Sequence, residues 1–320
     1  MRKPLQLILA MALLLSVTAG AQTYPVKPVR IIVPYVPGGP VDALARELAN
    51  AMSTALGQTF LVESRPGASG TLGTSLVANA APDGYTLLIG AVGANINIPV
   101  LSTKPPYDGI KEFSPVVMAL ITSNILVVGQ HLKVGTVREF IELAKTRPLS
   151  VAAAGTGGPT HIAGEIFQSK AKVKLTHVPY KGAAPVVTDL IGGHVDSAFL
   201  NLSAVMPNVK AGRLRALGVA AKTRSRLLPD VPTFEELGMT GFISGSWYGV
   251  LAPAGTPAAI VQSLYSAVAK HLPQPEVRAR LEASGSELFL LDPAAFLAFM
   301  LEQKTEMLQV KKTGAITLDP

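Results

Sequence analysis

The chain has 320 residues, no cysteine, and 28 Lys and Arg against 21 Asp and Glu, a formal net charge of +7. That length holds two domains whose cores need no covalent staple, and the missing thiols exclude disulfides, thiol catalysis and a lipid-modified Cys after a leader. The basic residues are scattered, densest at Lys170/Lys172/Lys174 and Lys222/Arg224/Arg226 with few aromatics beside them, which excludes a nucleic-acid face of clustered charge with stacking or groove-reading elements.

Arg2 and Lys3, an apolar run over 5–17 and the small residues Ala19-Gly20-Ala21 read as a signal peptide, 1–21, with a cleavage site at its end. The run is shorter than the roughly 20 apolar residues of a membrane span, and Gly, Pro and charged residues interrupt every later apolar stretch. Removing Arg2 and Lys3 leaves 26 basic and 21 acidic residues, a net +5. An exported chain without a tether is useful where an outer membrane retains it, so a periplasmic location is expected.

From there strands alternate with helices, the pattern of sheets covered by helices. A strand is expected over 29–33, then a helix over 42–56 with Leu44, Leu48, Met52 and Ala55 at helical spacing. A strand over 58–62, a glycine-rich connection, a short helix over 72–80, a turn at Pro82-Asp83-Gly84 and a strand over 86–89 complete a half-lobe. Strands over 116–121 and 125–128 are separated by a polar break, Thr122-Ser123-Asn124, which reads as a crossing between domains. Thr136-Val137-Arg138-Glu139 has the spacing of a capping box, in which Thr and Glu satisfy end amides reciprocally, and opens a helix to about Lys145. Short strands recur over 150–153, 175–178, 197–200 and 215–219, with helical segments between them. After Pro229-Asp230-Val231-Pro232 come a strand over 247–252 and helices over 257–271, 275–283 and 293–311, each with Pro near its start. The economical arrangement returns this last part to the first lobe. The expected fold is α/β with two lobes, 22–124 plus 246–320 and 125–245, each a mixed sheet flanked by helices, with a ligand cleft between them.

Two glycine-rich loops follow a strand and precede a helix: Pro37-Gly38-Gly39-Pro40, running through Val41 to Asp42, and Gly155-Thr156-Gly157-Gly158-Pro159-Thr160, ahead of His161, Ile162 and Phe167. The first amides of a helix lack internal partners and sit at the positive end of its dipole, and glycine lets an anion approach the backbone closely. Each loop can therefore hold an anion, and two on different lobes suggest a cleft; Val at Gly39 or Gly157 would fill the space. A dinucleotide fingerprint is excluded, because Thr160 stands at its third glycine and no acidic residue follows near Thr176, His177 and Val178. Lys181-Gly182 lacks Walker spacing, no Gly-x-Ser-x-Gly elbow occurs, and His131, His161, His177, His194 and His271 are dispersed without metal-ligand spacing. No catalytic residue, metal or cofactor is expected.

Beside these loops stand Tyr24-Pro25-x-Lys27-Pro28, Ile32-Val33-Pro34, Ala45-Arg46, Glu63-Ser64-Arg65-Pro66-Gly67-Ala68-Ser69-Gly70, Pro82-Asp83-Gly84-Tyr85-Thr86-Leu87-Leu88, Pro106-Tyr107-Asp108, His177-Val178-Pro179-Tyr180-Lys181-Gly182 and Leu228-Pro229-Asp230-Val231-Pro232-Thr233. In these ordered motifs, covering nearly the whole mature chain, the sequence resembles the substrate-binding receptors of tripartite tricarboxylate transporters, the Bug receptors. The resemblance implies a type II periplasmic binding protein, monomeric, that closes on a small carboxylate and delivers it to integral membrane transporter subunits. It also implies that the loops over 37–42 and 155–161 act as opposing grips through backbone amides and bridging waters. Ala91, Val92, Gly93 and Asn95 after the third strand are candidate cleft-wall residues, Tyr180 and Lys181 candidates in the motif over 177–182, with Lys181 a possible counter-ion, and Asn201 a further candidate. Val41 stands where many relatives carry Thr, which removes one hydroxyl. A sensor-kinase receptor and a periplasmic enzyme are the alternatives, and the ligand's identity stays open among organic acids.

Overall fold

A computed structural model describes residues 24–38, 40–283 and 285–312; the signal peptide expected over 1–21 and the candidate residue Gly39 lie outside the described residues. The chain starts with β1 (Val29–Val33), which is buried along nearly its whole length. The following α1 (Pro40–Leu56) sends Leu44, Leu48 and Met52 into the core at the spacing its sequence shows. β2 (Phe60–Ser64) and β3 (Thr86–Ala91) pair parallel with β1 on either side, with α2 (Thr71–Ala78) between them in sequence. β3 runs on into a π-helical turn, Gly93–Asn97, and α3 (Ile98–Leu101).

The polar triplet Thr122-Ser123-Asn124 interrupts nothing: β4 (Phe113–Gly129) is one strand of 17 residues. Each member keeps a partner, Thr122 opposite Ser246, Ser123 opposite Gly245 and Asn124 opposite Asn201, so the backbone stays paired where the side chains turn polar. Up to Ser123, β4 pairs with β9 (Gly245–Pro253); from Asn124 it pairs with β7 (Ser197–Asn201) and β8 (Leu214–Val219). One strand thus runs through both halves of a ten-stranded mixed sheet, eight of whose strands follow the order β2-β1-β3-β9-β4-β7-β5-β6 while the other two pair with β4 off this path; β5 (Ser150–Ala154) and β6 (Thr176–Tyr180) are parallel neighbours.

The helices of the second half are α4 (Val137–Thr146), α5 (Pro159–Ala171), α6 (Ala183–Gly192) and α7 (Leu202–Lys210). The capping box at Thr136 and Glu139 forms as its spacing predicts. After β9 come α8 (Ala258–His271), α9 (Pro275–Glu282) and α10 (Pro293–Lys312). Between α9 and α10 lies β10 (Glu287–Leu291), absent from the sequence reading, which pairs antiparallel with β4. Its exposure alternates over the first four residues, but Glu-Leu-Phe-Leu-Leu is apolar from its second residue on, so the sequence carried no period-2 signal of a strand.

Two kinds of core fill the halves. An aliphatic one joins Ile31, Leu44, Leu87 and Ile89 to Val250, Leu264 and Val268. The other is aromatic, built from Phe140, Phe167, Phe199, Phe234 and Phe242, with Phe234 stacked on Phe242 at 4.5 Å between centroids. The C-terminal helices are tied back to α1 by Glu47, which accepts from His271 at 2.6 Å and Arg280 at 2.7 Å. Among the described residues no helix is long and apolar enough to cross a membrane.

Candidate functional site

The second glycine-rich loop leaves β5 at Ala154 and turns through Gly155 (φ 101) and Gly157 (φ 75), conformations that an L side chain resists. Gly158 is the N-cap of α5 and Pro159 its first residue; no side chain caps the helix. Pro has no amide to offer, so the outward donors of this 13-residue helix are the amides around it. Two amides of the loop are already taken. Thr160 Oγ1 turns back to accept from the Ala154 amide at 3.0 Å, and His161 Nδ1 accepts from the Gly157 amide at 3.1 Å.

On the first loop, Val36, Pro37 and Gly38 are exposed. Asp42, buried in the first turn of α1, accepts from Arg46 at 3.0 and 3.3 Å and from the Gly38 amide at 3.4 Å. These bonds tie the loop to the first turn of the helix. Val41 packs into the aliphatic core, where the hydroxyl of a Thr would have no water.

The turns of the two halves approach one another at three points. Ser69 Oγ donates to the Thr156 carbonyl at 3.2 Å. A Cβ on Gly93 would sit 3.4 Å from Pro159 Cδ and 3.8 Å from Gly158 Cα, and one on Gly182 would sit 3.8 Å from Val36 Cγ2. Loops 36–38, 69 and 93 therefore meet loops 155–159 and 182 along one seam. Ala91 and Val92 are buried behind it. Ser69 escaped the sequence reading as a site residue, although it stood inside the quoted motif. Gly67, Ala68, Ser69 and Gly70 all have positive φ (138, 46, 54 and 96), and two consecutive non-glycine residues in that region store backbone strain of the kind that gathers at functional sites.

The floor is a polar network in the middle of the sheet. Asn124 Nδ2 donates to the Pro159 carbonyl at 3.0 Å and to Ser244 Oγ at 2.8 Å. Asn201 Nδ2 donates to Asn124 Oδ1 at 2.9 Å and Ser246 Oγ at 3.1 Å, while its Oδ1 accepts from Tyr248 at 3.3 Å. Burial raises the Tyr248 and Tyr35 phenols, in Tyr35 with help from Tyr248 and Tyr107, so both remain donors. The Asn201 amide is thus spent on the network. Asn95, fully buried, accepts from the Ala91 amide and donates to the Gly109 carbonyl, both at 3.2 Å, which staples the π-helical turn. Tyr180 donates to Asp189 at 2.5 Å and is pushed up to about 12 by burial and that carboxylate, whereas Lys181 is exposed beside Gly182. His161 and His177 stack at 4.1 Å between centroids, and burial lowers the pKa of both. A cavity of about 540 Å³ lies behind Asn95, between 99–112 and α10, apart from these loops.

A mixed sheet shared by two halves, with glycine turns from each meeting above it, defines a periplasmic binding protein. The chain belongs to the tripartite tricarboxylate transporter family receptors, whose model matches residues 44–316. It is similar to the periplasmic binding protein BugD at 32% identity, with a TM-score of 0.86 over 93% of this chain and 100% of the other. Rpa4515 of R. palustris, solved with adipate, is 34% identical with a TM-score of 0.87, covering 93% of this chain and all of that one. MatC of Rhodopseudomonas palustris, solved with malate, is 33% identical with a TM-score of 0.83 over 90% of this chain and 100% of the other.

Proposed function

We propose that the protein is an exported periplasmic receptor that binds a small organic carboxylate between two lobes, with boundaries at 124/125 and 245/246, and delivers it to a tripartite tricarboxylate-type membrane transporter. The observation that carries this reading is the uncapped N-terminus of α5 set against the 36–38, 69 and 93 turns of the other half. A carboxylate accepts up to about four hydrogen bonds, and main-chain donors supply them without a buried cation whose desolvation must be offset. Relatives solved with adipate and malate support an organic acid of this class. Leu228-Pro229-Asp230-Val231-Pro232-Thr233 and Tyr180-Lys181-Gly182 lie in the second lobe, where exposed Lys181 adds long-range attraction for an anion.

A thermal-shift screen of dicarboxylates, tricarboxylates and aromatic acids tests it, followed by calorimetry. A true ligand at a hundredfold excess over Kd stabilises by about 2.7 kcal/mol. Gly157 is a poor place for the companion substitution, since its φ of 75 makes Val distort the loop itself. Gly158 has φ −72 and ψ 167, open to a β-branched residue. Gly158→Val, whose Cβ would stand 3.4 Å from the Gly155 carbonyl oxygen and 3.5 Å from that of Ala154, is expected to cost roughly 3 kcal/mol of binding, about a hundredfold in Kd, by crowding the helix terminus, with far-ultraviolet circular dichroism checking that the free protein keeps its fold. Unchanged affinity in Gly158→Val, or silence of the whole acid panel, would sink the carboxylate reading.

A further inference from the structure

We propose that His161 is a positioning residue for the second loop: its unprotonated Nδ1 holds the Gly157 amide, protonation there releases the loop, and ligand affinity follows the ring's titration. Only the last clause rests on the carboxylate-receptor reading.

Gly155 and Gly157 both have left-handed backbones, and glycine visits many other conformations at little cost, so the turn has no stiffness of its own. Ser69 and Asn124 hold its Thr156 and Pro159 carbonyls from outside, and two side-chain bonds from the first turn of α5 hold its amides: Thr160 to Ala154, and His161 to Gly157. The second is conditional. A ring nitrogen that accepts carries no proton, so the neutral ring has its hydrogen on Nε2. The cation has hydrogens on both nitrogens, and Nδ1–H would then point at the Gly157 N–H, donor against donor.

The surroundings favour the neutral ring. Its side chain is 13% exposed, and His177 on β6 stacks against it, a poor neighbour for a second positive charge. Glu165, one turn along α5 with Oε1 at 3.7 Å from Nε2, is the opposing influence and would attract the cation. It is itself engaged by Gln168 at 3.1 Å. Burial wins, and the ring's pKa lies below its ordinary value. An anionic guest would also favour the cation, so the sign of the pH effect separates a loop-positioning ring from one that pairs directly with the ligand.

The test begins without ligand. In ¹H–¹⁵N spectra of the whole mature protein between about pH 8 and pH 5, a range bracketing the ordinary histidine pKa, the Gly157 amide is expected to shift with the midpoint of the His161 ring. In His161→Asn, whose Oδ1 can accept the same amide but does not titrate, that shift disappears. A Gly157 resonance that stays still while His161 titrates overturns the proposal, whatever the protein binds. Calorimetry with adipate and with malate then reads the coupling. Below the midpoint Kd is expected to rise by about tenfold per pH unit, with a flat profile in His161→Asn and a smaller loss of affinity there than in His161→Phe. Affinity that increases on acidification shows the ring serving as a cationic partner and overturns the coupling. If neither acid binds at any pH, the receptor reading fails with them, and the amide titration still decides the loop.

Discussion

Ser69 holds two costs in one residue. Its φ of 54, next to Ala68 at 46, is a left-handed position that penalises a Cβ by about 1–2 kcal/mol, and its hydroxyl is committed to the Thr156 carbonyl in the other half. Ser69→Ala removes the bond and keeps the strain, whereas Ser69→Gly removes both. Calorimetry is expected to show ligand affinity falling about fivefold in each, since a hydrogen bond contributes about 1 kcal/mol. Thermal melts should rank the free glycine variant above the alanine variant. Equal melting temperatures with unchanged affinity would show the turn to be unstrained and the bond idle. At this scale the sequence exposed glycine loops because glycine announces an unusual backbone, and it hid Ser69 because nothing in a serine marks a left-handed φ. Asn95 and Asn201 looked free to meet a guest, being polar residues near strand ends; their amides are spent on Ala91, Gly109, Asn124 and Ser246.

At the scale of elements, β4 shows why side-chain pattern and strand continuity are separate questions. Polarity at Thr122, Ser123 and Asn124 suggested a break, but continuity is set by backbone pairing, which passes from β9 to β7 and β8 without a gap. The polar residues sit where β4 passes from its pairing with β9 to its pairing with β7 and β8, and Asn124 links both sides to α5. It joins Ser244, just ahead of β9, to Asn201 at the end of β7 and to the Pro159 carbonyl. Asn124→Ala would take one partner from each of these half-buried groups, leaving Ser244 with the Pro159 carbonyl at 3.5 Å and Asn201 with Ser246 and Tyr248, a cost of about 1 kcal/mol per lost hydrogen bond. Urea unfolding is expected to show a lower midpoint at unchanged slope. Because the network holds Pro159, ligand affinity should drop as well; a destabilised variant that binds normally would confine the network to stability. β10 remained invisible for the opposite reason, with backbone pairing to β4 but no alternation of polar and apolar residue types in Glu287–Leu291.

For the molecule as a whole, the ionisable groups divide stability against pH into two windows. Burial depresses His177 and His161, and at His177 the stacked His161 adds to the depression while Glu165 opposes it. An unfolded histidine titrates at about 6.5, so between that value and the lower folded values the unfolded chain binds more protons. Stability from these rings is complete above about pH 6.5 and is lost as pH falls through their folded pKa values. The carboxylates belong to a lower window. Burial raises Glu47, Asp108 and Asp196, but hydrogen bonds from His271 and Arg280, from the Lys111 and Ile110 amides with Lys304, and from Ser150 with Arg147 nearby hold each below its ordinary value. Their contribution is present above about pH 4 and disappears below it as the folded groups protonate. Melting temperature is therefore expected to be level from about pH 8 to 7, to decline gently towards pH 5 and to fall steeply below 4. His177 is the place to cut the first window, because its Nε2 is buried without a partner, so a nontitrating ring there gives up no bond. His177→Phe should keep the stack on His161 and flatten the decline between about pH 6.5 and 5, while the steep acid limb stays where it was. A decline identical to the parent protein in that interval would assign the upper window to some group other than the stacked histidines.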